Sequence, residues 1–157
     1  MSQSPENYMD QFETPEEFIR AEILANRGSN NIVDKSVLLE AVGWKALEGE
    51  DLSKLSKAQL FDRLVELCGN TVYTMFPVGV CSISFQLKFG ITHKEVLKLA
   101  RAGILTVTGE RKFRKYGKYL YAKTYSAFDY FRLTPEEVRK ALEVSKRPNH
   151  HAKEKST

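Results

Sequence analysis

Five cations and three aromatic residues crowd the stretch from Gly109 to Tyr119. Arg111, Lys112, Arg114, Lys115 and Lys118 are interleaved with Phe113, Tyr116 and Tyr119, and a glycine stands at each end of 109–117. Lys and Arg neutralise phosphates and release their condensed counterions, while aromatic rings pack on sugars or stiffen a loop. The chemistry on offer is contact with a polyanion. A second set lies just upstream. Thr92, His93, Lys94, Lys98 and Arg101 fall on one short segment, and Lys or His there can donate hydrogen bonds to guanine O6 and N7.

Charge along the chain agrees with this placement. Residues 1–68 hold 7 Lys/Arg and 13 Asp/Glu, a net of −6, whereas 88–123 hold 10 Lys/Arg against Glu95 and Glu110, a net of +8. Segregated charge gives a one-sided field, and the positive side suits a polyanion. The overall net charge of +4 hides this asymmetry.

Elements that position these residues can be read from local signals. Ser82–Phe89 reads as a short helix, Gly90-Ile91-Thr92 as a tight turn with Thr92 as N-cap, and 93–102 as the next helix. In that helix Val96, Leu97 and Ala100 are expected to face Phe85 and Phe89, leaving His93, Lys94, Lys98 and Arg101 outside. Gly103 ends it and Ile104-Leu105 anchors the chain. A hairpin follows: strand 105–108, a basic tip over 109–117, and a returning strand 118–125.

Helix, glycine turn, helix, hairpin is the order of a winged helix-turn-helix. The stretch FQLKFGITHKEVLKLARAGILTVTGERKFRKYGKYLYAKTYSAFDYF, within roughly 82–131, resembles the MerR-like and excisionase-like winged-helix families. The residues carrying the resemblance are Phe89-Gly90-Ile91-Thr92 at the turn, Val96 in the second helix, Ala102-Gly103-Ile104-Leu105 after it, and Lys118–Lys123 in the returning strand. It covers about a third of the chain. The resemblance implies a second helix docked in the major groove and a wing on the flanking backbone or minor groove.

The rest of the chain reads as support. Residues 1–12 are polar and expected to be flexible. Thr14-Pro15-Glu16-Glu17 starts a helix over 14–27, with Thr as cap, Pro at the first position and Glu closing a capping box. Further helices are expected at 34–42, 56–68 and 134–144, with Trp44 and Leu47 in a short continuation before Gly49. Ser53–Leu67 is similar to small helix-extension-helix nucleic-acid modules, but its spacing is generic and suits a core-packing helix. Residues 71–80, broken by Pro77 and Gly79, read as a short strand or linker bounding two halves. The Thr-Pro-Glu-Glu start recurs at Thr134 without making a repeat architecture. The expected organisation is a helical subdomain over 13–70, a winged helix-turn-helix over 71–144 and a disordered tail over 145–157. The fold class is mainly α with one β-hairpin.

Several function classes lack their signatures. G-x-S-x-G, H-E-x-x-H, a phosphate-binding glycine loop and a dinucleotide fingerprint are all missing. Cys68 and Cys81 form neither a zinc motif nor a disulfide framework and read as reduced thiols. His150-His151 lacks further ligands, so neither metal nor cofactor is expected. The acidic N-terminus is not a signal peptide, and no apolar run reaches membrane-span length, which suggests a cytoplasmic protein. The sequence thus points to a non-enzymatic protein that binds double-stranded DNA, as a transcriptional regulator or an architectural or recombination accessory factor. An alternative stays open: a protein-interaction module, such as a phage-type accessory or inhibitor protein binding a host factor. The acidic half would then be the working surface, or a homodimer contact, and the winged helix a scaffold.

Overall fold

The computed structural model describes residues 7–25, 33–43 and 52–144. Trp44, Leu47, residues 26–27 and the tail from 145 lie outside them. The described chain is mostly helical with a small antiparallel sheet of three strands. Its helices are α1 (Pro15–Ala25), α2 (Lys35–Gly43), α3 (Lys57–Cys68), α4 (Ser82–Phe89), α5 (His93–Arg101), α6 (Ala127–Arg132) and α7 (135–144). The strands are β1 (Val80–Cys81), β2 (Val107–Lys115) and β3 (Lys118–Tyr125), in the order β1-β3-β2.

Helix starts follow the capping chemistry. Thr14 Oγ1 accepts from Glu17 N at 3.1 Å while Glu17 Oε1 accepts from Thr14 N at 3.3 Å and Glu13 N at 2.7 Å. Ser56 with Gln59, Thr92 with Glu95 and Thr134 with Glu137 make the same reciprocal pair. Each satisfies backbone donors that the first helical turn leaves without partners. Asp34 caps α2, and hydrogen bonds from Ser36 and Val37 hold its carboxyl below the usual carboxylate range.

One apolar cluster runs from Met9 to Leu142 and includes Phe18, Ile23, Leu38, Leu64, Phe85, Val96, Leu99, Tyr125 and Tyr130. Three segments around it differ from, or add to, what the sequence suggested. Residues 7–12 are built into the fold: Tyr8–Gln11 form a 3-10 turn and Met9 is buried. The cause is a tertiary contact with no local signal. Asn7 Nδ2 donates to the Ser84 carbonyl at 3.1 Å and to Tyr130 Oη at 2.7 Å, and Asn7 Oδ1 accepts from Met9 N at 3.2 Å. Burial pushes the Tyr130 phenol up to about 12, so it stays protonated. The stretch 71–80 is likewise packed in. A 3-10 turn spans Gly69–Thr74, β1 pairs with β3, and Val72, Val78 and Val80 are buried. A Cβ at Gly79 would lie 2.0 Å from Thr108 Oγ1 and 2.7 Å from the Tyr125 carbonyl oxygen, so glycine lets this segment approach the sheet. Finally, α6 follows the hairpin where the sequence reading gave no element.

The Asn7 latch makes a prediction. Asn7→Ala should destabilise the fold by about 1–3 kcal/mol, because it removes two buried hydrogen bonds, to the Ser84 carbonyl and to Tyr130 Oη. The urea midpoint measures this; an unchanged midpoint would mean that residues 7–12 do not hold α4 to α6.

Candidate nucleic-acid interface

Helix α4 is the shared support for both basic elements. Phe85 stacks near Phe89 with centroids 6.4 Å apart, and its ring meets Tyr125 of β3 at 5.7 Å and Tyr130 of α6 at 5.1 Å, both edge-on. Gly90 ends α4 at φ 64°, the left-handed conformation, and its N–H donates to the Gln86 carbonyl. Glycine adopts that angle at no steric cost. Thr92 then caps α5 two residues later.

Helix α5 presents most of the residues the sequence singled out. Thr92, His93, Lys94 and Arg101 are exposed. Lys98 is only half-exposed, so it is less available than expected. The inward face is also corrected: Val96 and Leu99 are buried, while Leu97 and Ala100 are only partly so. At about 100° per residue, Leu99 falls ~60° from Val96 and Leu97 ~100°, so Leu97 drops to the edge of the apolar stripe.

His93 is held by a contact the sequence did not reveal. Ser82 Oγ and His93 Nδ1 share a hydrogen bond of 2.8 Å, and Gln86 Nε2 donates to the same Ser82 Oγ at 3.0 Å. The contact ties the His93 ring to α4 across the turn. Lys88, counted with the basic region, is structural. Its Nζ donates to the Tyr130 carbonyl and lies 4.4 Å from that ring's centroid, and burial lowers its pKa.

The hairpin differs most from expectation. Its strands extend through the presumed tip, with Arg111 opposite Ala122, Phe113 opposite Leu120 and Lys115 opposite Lys118. Only Tyr116 and Gly117 form the turn, at φ 53° and 73°, as a type I′ turn requires. A bulge interrupts the register between Val107 and Gly109. The long strands were hidden because residues 111–120 are exposed on both faces, so no buried face imposes hydrophobic alternation. One face carries Arg111, Phe113, Lys115, Lys118 and Leu120. The other carries Lys112, Arg114, Tyr119, Tyr121 and Lys123, the last two unforeseen.

Arg111, Lys112, Arg114, Lys115 and Lys118 make no ion pair among the described residues. Lys112 Nζ lies 4.2 Å and the Arg114 guanidinium carbon 5.7 Å from the Tyr119 centroid, contacts that order the cations without neutralising them. Arg111 alone reaches back to the body, donating to Cys81 Sγ at 3.6 Å. At the root, Asp129 of α6 accepts from Thr106 N at 2.9 Å, and Ser126 N donates to the Thr106 carbonyl at 2.8 Å.

Cys68 and Cys81 carry free thiols. Among the described residues, no group of three or more His, Cys, Asp or Glu is placed to hold a metal, and no helix is long and apolar enough to cross a membrane. No family model, curated protein or solved structure matches the chain.

Proposed function

We propose that the protein is a non-enzymatic DNA-binding factor of the winged helix-turn-helix kind, a regulator or an architectural or recombination accessory protein. In this reading α5 enters the major groove and the β2–β3 hairpin is the wing. The observation that carries it is the hairpin itself: an exposed ribbon whose five cations make no ion pair among the described residues and are interleaved with aromatic rings. Cations left unpaired by their own protein are free to neutralise phosphates, and a two-stranded ribbon fits a DNA groove. The capped N-terminus of α5, with Thr92, His93 and Lys94 exposed, supports base reading beside it.

Sequence reading has its own test. His93→Ala and Lys94→Ala should weaken binding to a preferred site, selected from random duplexes, more than binding to random DNA at the same salt. A base contact discriminates by about 1–3 kcal/mol, whereas phosphate contacts are indifferent to sequence. Ser82→Ala should reproduce part of the His93 effect by releasing the ring. An affinity ratio that neither variant moves would make the protein a nonspecific binder.

A further inference from the structure

The hairpin's turn departs from two rules of hairpin stability at once. Tyr116 sits at φ 53°, a position that favours Asn or Gly and is an outlier for a bulky side chain. The turn is closed by Lys115 and Lys118 standing directly opposite each other, where like charges repel. Neither choice assists folding. Tyr116 is also 89% exposed, beyond any other exposed large hydrophobic residue described, and Lys115 Nζ lies only 5.4 Å from its ring centroid. An aromatic ring at the end of a basic ribbon, held there against backbone preference, calls for a reason outside folding.

We propose, resting on the DNA-binding reading above, that Tyr116 is an aromatic wedge that opens a base step of the bound duplex and stacks on the base it exposes. Lys115 and Lys118 take the phosphates flanking that step. Apolar and aromatic wedges partly unstack the steps they enter and kink the duplex, and flexible TA and CA steps yield most readily. The ring carries no charge, so it adds affinity without adding to the salt dependence. That separates it from the cations around it.

The experiment compares wild type, Tyr116→Asn, Tyr116→Phe and the variant with Arg111, Lys112, Arg114 and Lys115 all changed to Ala. Affinity is measured across a salt series on duplexes carrying 2-aminopurine at single TA or CA steps. Asn suits the turn, so Tyr116→Asn should keep or raise the melting temperature. It should lose affinity on the order of tenfold with an unchanged salt slope. Wild type and Tyr116→Phe should raise 2-aminopurine fluorescence at an opened step, and Tyr116→Asn should not. If Tyr116→Asn binds like wild type, or wild type raises no fluorescence, while the cation variant loses its salt slope, the wedge is overturned and the DNA-binding reading stands. A wild-type protein without salt-dependent duplex binding overturns both.

Discussion

Changing Arg111, Lys112, Arg114 and Lys115 together to alanine is expected to lower duplex affinity on the order of a hundredfold or more near physiological salt. The same variant should flatten the plot of log affinity against log salt by up to roughly four units, since each phosphate contact contributes about 0.9. All four side chains are exposed on the two faces of one ribbon, and among the described residues no acidic group pairs with them. Stability should scarcely respond. The lost cation–π contacts on Tyr119 are exposed and weak, and removing like charges relieves repulsion between neighbours. A melting temperature within a few degrees of wild type would establish that binding, and not folding, was removed. Single variants should divide the slope evenly among Lys112, Arg114 and Lys115. Arg111 should contribute less, because it is partly engaged by Cys81. An unchanged slope in the fourfold variant would exclude the wing from binding and favour the acidic half as the working surface.

What was legible in the sequence was local. Thr14, Asp34, Ser56, Thr92 and Thr134 announced their helices because a cap and its partner lie within three residues of each other. The α4–turn–α5 unit was legible for the same reason, through Gly90 and Thr92. The features that escaped depend on distant partners. Asn7 looked like part of a polar end, yet its partners are 77 and 123 residues away. Strand β1 has two residues and exists only through β3, so the sequence left 71–80 open between a short strand and a linker. Helix α6 is six residues of largely aromatic sequence, too short for a periodic signal, and Ser126, which accepts from Phe128 N at 3.1 Å, was its one local marker. The candidate residues were chosen by charge and spacing. Their arrangement was not legible, because a ribbon wet on both sides obeys no burial pattern, and Ser82 and Gln86 are coupled to His93 only across the turn.

Phe85→Ala should be among the most damaging single changes in the core, because this ring anchors α4, the helix that packs against both proposed contact elements, α5 and β3. Phe85 is fully buried, and its ring touches side chains of β3 and α6 as well as its own helix. Removing it deletes a large buried surface and leaves a cavity bounded by elements that other contacts hold apart. Phe to Ala in such a setting costs about 3–5 kcal/mol. Total stabilities of domains this size run to about 5–15 kcal/mol, so a substantial share would go. The expected result is a fall of about 1–5 M in the urea midpoint, taking a slope of about 1–3 kcal/mol per molar. Phe113→Ala is the matched control. Its ring is 39% exposed on the ribbon, and its loss should cost under about 1 kcal/mol. The comparison also bears on binding. If α4 is what fixes α5 relative to the hairpin, Phe85→Ala assayed at low temperature should lose its preference for a selected site before it loses salt-dependent binding to random duplex. The hairpin's charges need no fixed partner to attract phosphates, whereas a helix that reads bases must be held in register with the hairpin. A Phe85→Ala protein with an unshifted midpoint, or with its site preference intact, would show that helix and hairpin are positioned independently of α4.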